Sequence, residues 1–203
     1  MKICIFGGAF NPPHNGHTGL IQAINAAFNF DRIIIIPTYI PPHKNIHYIV
    51  ECRTRLTMTK LAFSDISNCY ISDIEINRKD VSYTIDTLKE LKKKIPYAEF
   101  TVLIGADNFN IIDEWKNISE LIKLTDFIVC RRPGNTIKQS SMIYMKNSTR
   151  FVFFENEMFD ISSTFIREQL IKGKNEIIAK MLAKPVFDYI IENNIYYEQD
   201  KKN

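Results

Sequence analysis

The chain has 203 residues, of which 45% are hydrophobic and 24% are charged, with 26 Lys and Arg against 23 Asp and Glu. This composition is average for a soluble globular protein, so it excludes a disordered chain, a collagen-like fibre and a coiled-coil rod. The length predicts a single domain spanning 1–203, and a net charge of only +3 gives no reason to expect a nucleic-acid partner.

The cysteines and the apolar runs predict a soluble protein of the cytoplasm. The four cysteines are far apart and form no Cys-x-x-Cys pair, and the first residues carry no signal-peptide pattern. No apolar run approaches the roughly 20 residues that span a bilayer. We therefore expect reduced cysteines and no membrane partner.

Short β-branched runs that stop at Gly or Pro predict buried parallel strands, and apolar residues at helical spacing between them predict helices. The predicted elements are, in chain order, a strand at 2–6, a helix at 17–29, a strand at 32–36, a helix at 51–63, a strand at 69–76, a helix at 83–94, a strand at 100–104, a helix at 115–124, strands at 127–130 and 151–154, and helices at 163–172 and 185–194. This alternation predicts an α/β fold, a single Rossmann-like doubly wound parallel sheet with C-terminal helices. We expect the polar tail 198–203 to be disordered.

Polar segments follow three of the predicted strands, at 7–17, 37–44 and 105–107, and should converge at the carboxyl edge of the sheet. The first is the most informative. Gly7 and Gly8 let the backbone approach a ligand closely, and the helix that follows offers free N–H groups. His14 and His17, three residues apart at the start of that helix, can face one anion together. The segment therefore predicts a phosphate site.

Two other interpretations of this histidine pair stay open at this point. They are ordinary loop residues or zinc ligands, but neither Cys nor a carboxylate lies nearby in sequence, so no metal site is predicted. Near the far end, the segment Ile-Ser-Ser-Thr-Phe-Ile-Arg at 161–167 offers a second anion site, with a serine as N-cap and Arg167 one turn in. By itself it also fits an ordinary capped helix. Arg53 and Arg55 on the predicted helix 51–63 are interpreted as a solvated face.

The two segments together resemble the signatures of the HxGH nucleotidyltransferase superfamily. Four further stretches resemble the nicotinate mononucleotide adenylyltransferase family within it: Pro-Pro-His-Lys at 41–44, Ser-Tyr-Thr-Ile-Asp-Thr-Leu at 82–88, Gly-Ala-Asp at 105–107 with Trp115 beyond it, and Arg-Pro-Gly at 132–134. The resemblance runs in the same order from residue 2 to about residue 197. Ala9 stands where the family usually has Thr or Ser, and Asn11 where it often has Asp.

The resemblance implies transfer of the adenylyl group of ATP to a pyridine mononucleotide, with Mg²⁺ delivered by ATP. The catalytic residues that it implies are His14, His17, Lys44 and Arg167. The implied ATP-binding residues are Gly7, Gly8, Phe10, Gly105, Asp107, Ser162, Ser163 and Thr164. The implied mononucleotide-binding residues are Thr84, Trp115 and Arg132. By resemblance, nicotinate mononucleotide is favoured over the nicotinamide form.

Several alternatives share part of this pattern. Phosphopantetheine adenylyltransferases and cytidylyltransferases have similar signatures but are disfavoured by the stretches at 82–88 and 105–115. A class I aminoacyl-tRNA synthetase would need tRNA-binding domains for which 203 residues leave no room. A nucleotide sensor that binds ATP without turnover is the alternative from a different class. The sequence does not decide between a monomer and a homo-oligomer.

Overall fold

The computed structural model describes residues 1–42, 49–131, 137–138, 150–155 and 161–197. Three predictions fall outside these ranges, namely the catalytic role of Lys44, the mononucleotide-binding role of Arg132 and the disordered tail at 198–203. No helix in the described ranges is long and apolar enough to cross a membrane.

The described residues form a parallel sheet of six strands in the order β3-β2-β1-β4-β5-β6. The strands are β1 (Lys2–Gly8), β2 (Arg32–Pro37), β3 (Cys69–Ile71), β4 (Glu99–Gly105), β5 (Asp126–Arg131) and β6 (Phe151–Glu155). The order reverses between β1 and β4, and this confirms the doubly wound fold. Ligands of such sheets bind beyond the carboxyl ends of the strands at the reversal.

The helices cover both faces of the sheet. They are α1 (Asn15–Phe28), α2 (Cys52–Ala62), α3 (Ile74–Arg78), α4 (Thr84–Lys94), α5 (Ala106–Phe109), α6 (Ile118–Leu124), α7 (Ser163–Ile171), α8 (Asn175–Ala179) and α9 (Lys184–Glu192), with a 3₁₀ turn at Ile112–Glu114. Successive residues of β1 point to opposite faces. Ile3 and Ile5 pack with α4, whereas Cys4 and Phe6 pack with α1. Because both faces are buried, the strand is a continuous apolar run.

A third apolar cluster joins the C-terminal helices to the rest of the molecule. Ile166 and Leu170 of α7 pack in it with Val186 and Ile190 of α9, and Met58 of α2 completes it. This cluster holds α7 against the carboxyl edge of the sheet, next to the segment between β1 and α1.

Two predicted elements are wrong in extent. The strand predicted over 69–76 ends at Ile71, and the helix α3 takes up the rest. The helix predicted over 115–124 starts only at Ile118, because Asn117 before it is in the left-handed conformation with φ 52°. That conformation cannot continue a right-handed helix.

Candidate active site

The segment between β1 and α1 is folded back on the core by Phe10. Its backbone is left-handed, with φ 46°, and its side chain is 2% exposed. The ring packs edge-on against Phe6 and His17, with centroids 5.6 and 5.2 Å away. The side chain of Phe10 therefore anchors the loop to the core, and only the backbone of Phe10 is available to a ligand.

The two histidines stand together at the start of α1. His14 is the N-cap, and its ring lies 3.7 Å from that of His17, centroid to centroid. The main-chain N–H of His14 donates to Nδ1 of His17 at 3.2 Å. Because Nδ1 accepts this hydrogen bond, neutral His17 carries its proton on Nε2. Nε2 can therefore donate to an anion.

The second signature packs directly on the first. Ser162 caps α7 by accepting the N–H of Phe165 at 3.1 Å. The Ser163 hydroxyl donates to the carbonyl of Pro12 at 2.8 Å, and Nη1 of Arg167 donates to the carbonyl of Asn11 at 2.8 Å. The structure thus brings the two signatures together.

Arg167 is held at a second point, since its Nη2 donates to the hydroxyl of Thr164 at 3.2 Å. A guanidinium has five N–H donors in a planar fork. Two of them bind protein oxygens here, and this fixes the plane of the fork at the first turn of α7.

A cavity of about 130 Å³ lies on the other side of Gly7 and Gly8. Thr84 in the first turn of α4 lines it together with Trp115, which follows the 3₁₀ turn. An apolar cavity of roughly 150 Å³ accommodates benzene in another protein, so this one has the size of a single six-membered aromatic ring. Gly105, at the end of β4, is outside the cavity lining but has open space where a Cβ would stand.

Asp107 is not part of the cavity lining. It lies exposed on α5, and its neighbour Asn108 lines the cavity instead. The structure therefore brings Thr84 and Trp115 to the cavity, and leaves Asp107 at the outer edge of the site.

Comparison with known proteins assigns this site to a family. The cytidylyltransferase-like family model matches residues 5–169. A "probable nicotinate-nucleotide adenylyltransferase" of Shouchella clausii is 37% identical over 98% of this chain and 99% of its own length. One of Bacillus pumilus is 35% identical over 96% and 98%. The chain belongs to the nicotinate-nucleotide adenylyltransferase family, which consists of nucleotidyltransferases.

Solved structures of adenylyltransferases share the fold. Nicotinic acid mononucleotide adenylyltransferase of Plasmodium falciparum, solved in complex with NaAD, superposes with a TM-score of 0.81 at 24% identity. The match covers 96% of this chain and 97% of that one. At this level of identity the likeness concerns the architecture, and it agrees with the Rossmann-like sheet.

A buried arginine that we predict to be solvated supports the site of this adenylyltransferase-family chain. Arg55 on α2 is 1% exposed. Its guanidinium donates to the carbonyls of Val50, Ala9, Thr38 and Tyr39 at 3.0, 2.7, 2.6 and 3.0 Å. Burial lowers its pKa. The prediction of a solvated face is wrong for Arg55, whose side chain ties the loops after β1 and β2 together.

Asn11 is a second residue whose hydrogen bonds hold separate segments of the adenylyltransferase site together. Its Oδ1 accepts the N–H of Val50 at 3.2 Å and the hydroxyl of Tyr196 at 2.9 Å. Burial raises the pKa of Tyr196, so its hydroxyl stays protonated and can donate. The amide at this position, where the family often has a carboxylate, therefore joins the loop to the C-terminal end of the described chain.

The cavity also has polar lining residues that sequence reasoning missed. Glu75 on α3 is 5% exposed, and its Oε1 accepts the Thr87 hydroxyl at 2.6 Å. Burial raises the pKa of this carboxyl. Lys116 lies at the rim of the cavity, directly after Trp115. Within the described ranges, no group of three or more His, Cys, Asp or Glu is placed to hold a metal ion.

Proposed function

We propose that the chain joins ATP and nicotinate mononucleotide to give nicotinate adenine dinucleotide and pyrophosphate, a step of NAD biosynthesis. The observation that carries the proposal is a ring-sized cavity lined by Gly7 and Gly8, at the start of the same segment that Ser163 and Arg167 bind. The names of the full-length relatives support the same substrates.

The reaction needs positioning and charge stabilisation more than a protein base. A phosphate oxygen of the mononucleotide attacks the α-phosphorus of ATP, and the bond from that phosphorus to the bridging oxygen of the β-phosphate breaks. The attacking phosphate is already ionised, so no proton has to be removed from it. The rate enhancement then comes from placing the attacking oxygen in line with the bond that breaks, and from neutralising the charge that develops.

The phosphate side of the proposed site consists of the two signatures. Nε2–H of His17 donates to a phosphoryl oxygen, with the ring of His14 next to it. Arg167 and the first N–H groups of α7, at Ser163 and Thr164, hold the departing pyrophosphate. We keep the ATP-binding roles of Gly7, Gly8, Phe10, Gly105, Asp107 and Ser162, with Phe10 acting through its backbone, and the phosphate-binding role of Lys44 as part of the proposal.

The mononucleotide side is the cavity. Trp115 offers a flat face on which a pyridine ring can stack, and Thr84 begins α4, whose first two N–H groups precede the hydrogen-bond pattern of the helix. An acidic ring substituent is a suitable acceptor for such donors. Arg132 is proposed as a further contact.

Nucleotidyltransferases of this kind use a divalent metal with ATP, and we propose that the ion is Mg²⁺. The ion would be delivered with ATP and would neutralise phosphate charge there. The cytoplasmic location and the single domain stay predictions from the sequence.

The test is an incubation with Mg-ATP and, in parallel, nicotinate mononucleotide, nicotinamide mononucleotide and phosphopantetheine. Pyrophosphate release gives the rate, and the mass of each product identifies the acceptor. We expect nicotinate adenine dinucleotide, formed much faster than the product of the amide. Dephospho-coenzyme A would place the activity elsewhere in the superfamily, and ATP binding without turnover would support a sensor.

A further inference from the structure

Nicotinate and nicotinamide mononucleotide differ at one ring substituent, a carboxylate in the first and an uncharged carboxamide in the second. A residue that separates them has to respond to this charge. Among the described residues that line the cavity, Lys116 is the one with a positive charge.

The position of Lys116 is set by two residues that line the cavity and by Asp86 beside them. Trp115 precedes it in the chain, and its Nζ lies 4.5 Å from the centroid of the Tyr83 ring. Nζ also lies 2.9 Å from Oδ2 of Asp86, in the first turn of α4. The hydrogen bond with Asp86 raises the pKa of Lys116, so the ammonium stays charged at neutral pH.

The ion pair between Lys116 and Asp86 is able to open. Its side chains are 44% and 37% exposed, and exposed pairs of this kind contribute little to stability. The ammonium can therefore leave Asp86 for a ligand carboxylate at the cavity rim without a large loss.

The buried carboxyl of the cavity lining bears on how an acidic ring is tolerated. This carboxyl belongs to Glu75, and an ionised carboxylate there would repel an acidic ring. The carboxyl accepts the Thr87 hydroxyl, and burial favours its neutral form. Among the described lining residues, the charged side chain that can respond to the acidic substituent is therefore Lys116 at the rim, in addition to the first N–H groups of α4.

We propose that Lys116 is a specificity-determining residue, whose ammonium moves from Asp86 to the carboxylate of the acidic pyridine ring and so favours nicotinate over nicotinamide mononucleotide. This inference rests on the proposed function.

The experiment compares kcat/KM for the two mononucleotides in the wild type and in Lys116→Gln. Two unit charges in contact at water-like screening correspond to a factor of about five. We therefore expect the nicotinate-to-nicotinamide ratio to fall about fivefold in Lys116→Gln, through the nicotinate value alone. Lys89→Gln is the matched control, since Lys89 is another exposed, ion-paired lysine, 2.7 Å from Glu120 and outside the cavity lining. It loses the same charge and should leave the ratio unchanged.

Asp86→Asn is expected to change the nicotinate-to-nicotinamide ratio in the opposite direction. Without its partner the ammonium is free for the ligand, so the ratio should rise, and in Lys116→Gln/Asp86→Asn it should return to the value of Lys116→Gln. An unchanged ratio in Lys116→Gln would overturn the proposal. So would an equal rise on Asp86→Asn with and without Lys116, because the charge of Asp86 would then act by itself.

Binding separates this inference from the proposed function. Trp115 is the chain's single tryptophan, so its fluorescence reports occupation of the cavity without turnover. A titration with each mononucleotide gives the ratio of the two Kd values. Turnover with a ratio that Lys116→Gln leaves unchanged would refute the role of Lys116 alone. A Kd ratio that falls in Lys116→Gln, in a protein that forms no dinucleotide, would support the role of Lys116 and refute the proposed function.

Discussion

Replacing Arg55 with Met is expected to lower the free energy of unfolding by about 3–5 kcal/mol. The guanidinium donates to four main-chain carbonyls of buried or half-buried residues. A buried acceptor left without its donor costs roughly 1–3 kcal/mol. The four contributions do not add in full, because the buried charge itself carries a desolvation penalty that Met removes. The net loss therefore lies at the upper end of single substitutions.

Urea denaturation and thermal melting measure this loss. For a chain of this size the expected loss corresponds to a melting temperature lower by roughly 6–20 °C. Arg53→Met is the matched control, since Arg53 lies exposed on the same helix and loses the same charge. Arg55→Lys keeps the charge without the planar fork and should fall between the two. If Arg55→Met stays within about 1 kcal/mol of Arg53→Met, the four hydrogen bonds do not hold the loops as we argue.

Three further variants test the site. His17→Ala is expected to lower kcat about 100-fold while the affinity for ATP, from calorimetry, changes less than about threefold; equal losses would contradict a role in stabilising the transition state. Trp115→Ala should raise KM for the mononucleotide roughly 5- to 160-fold, because stacking of a base on an aromatic ring contributes about 1–3 kcal/mol. KM for ATP should stay constant in that variant, and a parallel rise would argue against a separate ring pocket. Glu75→Gln tests a pH dependence of stability. Because burial raises the pKa of folded Glu75 above 4.5, the wild type loses stability as the pH rises from about 4.5 through that raised value. The variant lacks this loss, so its stability relative to the wild type should increase over the same window in urea melts, and a constant difference would contradict the assignment.

The strands could be predicted from the sequence for a physical reason. A parallel strand buried on both faces is a continuous β-branched run, and such runs at 32–36 and 100–104 correspond to β2 and β4. The strand predicted over 69–76 is wrong because Ile74 and Ile76 alternate with polar residues as they would in a strand. In the structure these residues form one short helical turn around Glu75, and five residues are too few for a helical period to be recognised.

Arg55 could have been recognised from spacing. It precedes Met58 and Thr59 by three and four residues, and all three lie on the buried face of α2. The charge of Arg55 favours an exposed position, whereas the helical period places this residue on the buried face. Lys116 and Glu75 had no comparable signal, because their place at the cavity depends on how α3, α4 and the segment after the 3₁₀ turn pack together. Sequence-distant packing of this kind leaves no local pattern.

The segment that bears the two histidines is held from two sides, and this bears on how the proposed reaction would be catalysed. On one side, Arg55 of α2 donates to the carbonyl of Ala9. On the other side, Asn11 accepts hydrogen bonds from Arg167 of α7 and from Tyr196 in the turn after α9. Both arginines thus donate hydrogen bonds to the main chain of the loop. Donors fixed in this way do not have to reorganise when charge develops on a phosphoryl group, and fixed donors stabilise such charge far better than mobile ones. The C-terminal helices, which add nothing to the sheet, therefore contribute to the site by ordering the loop during folding rather than during the reaction.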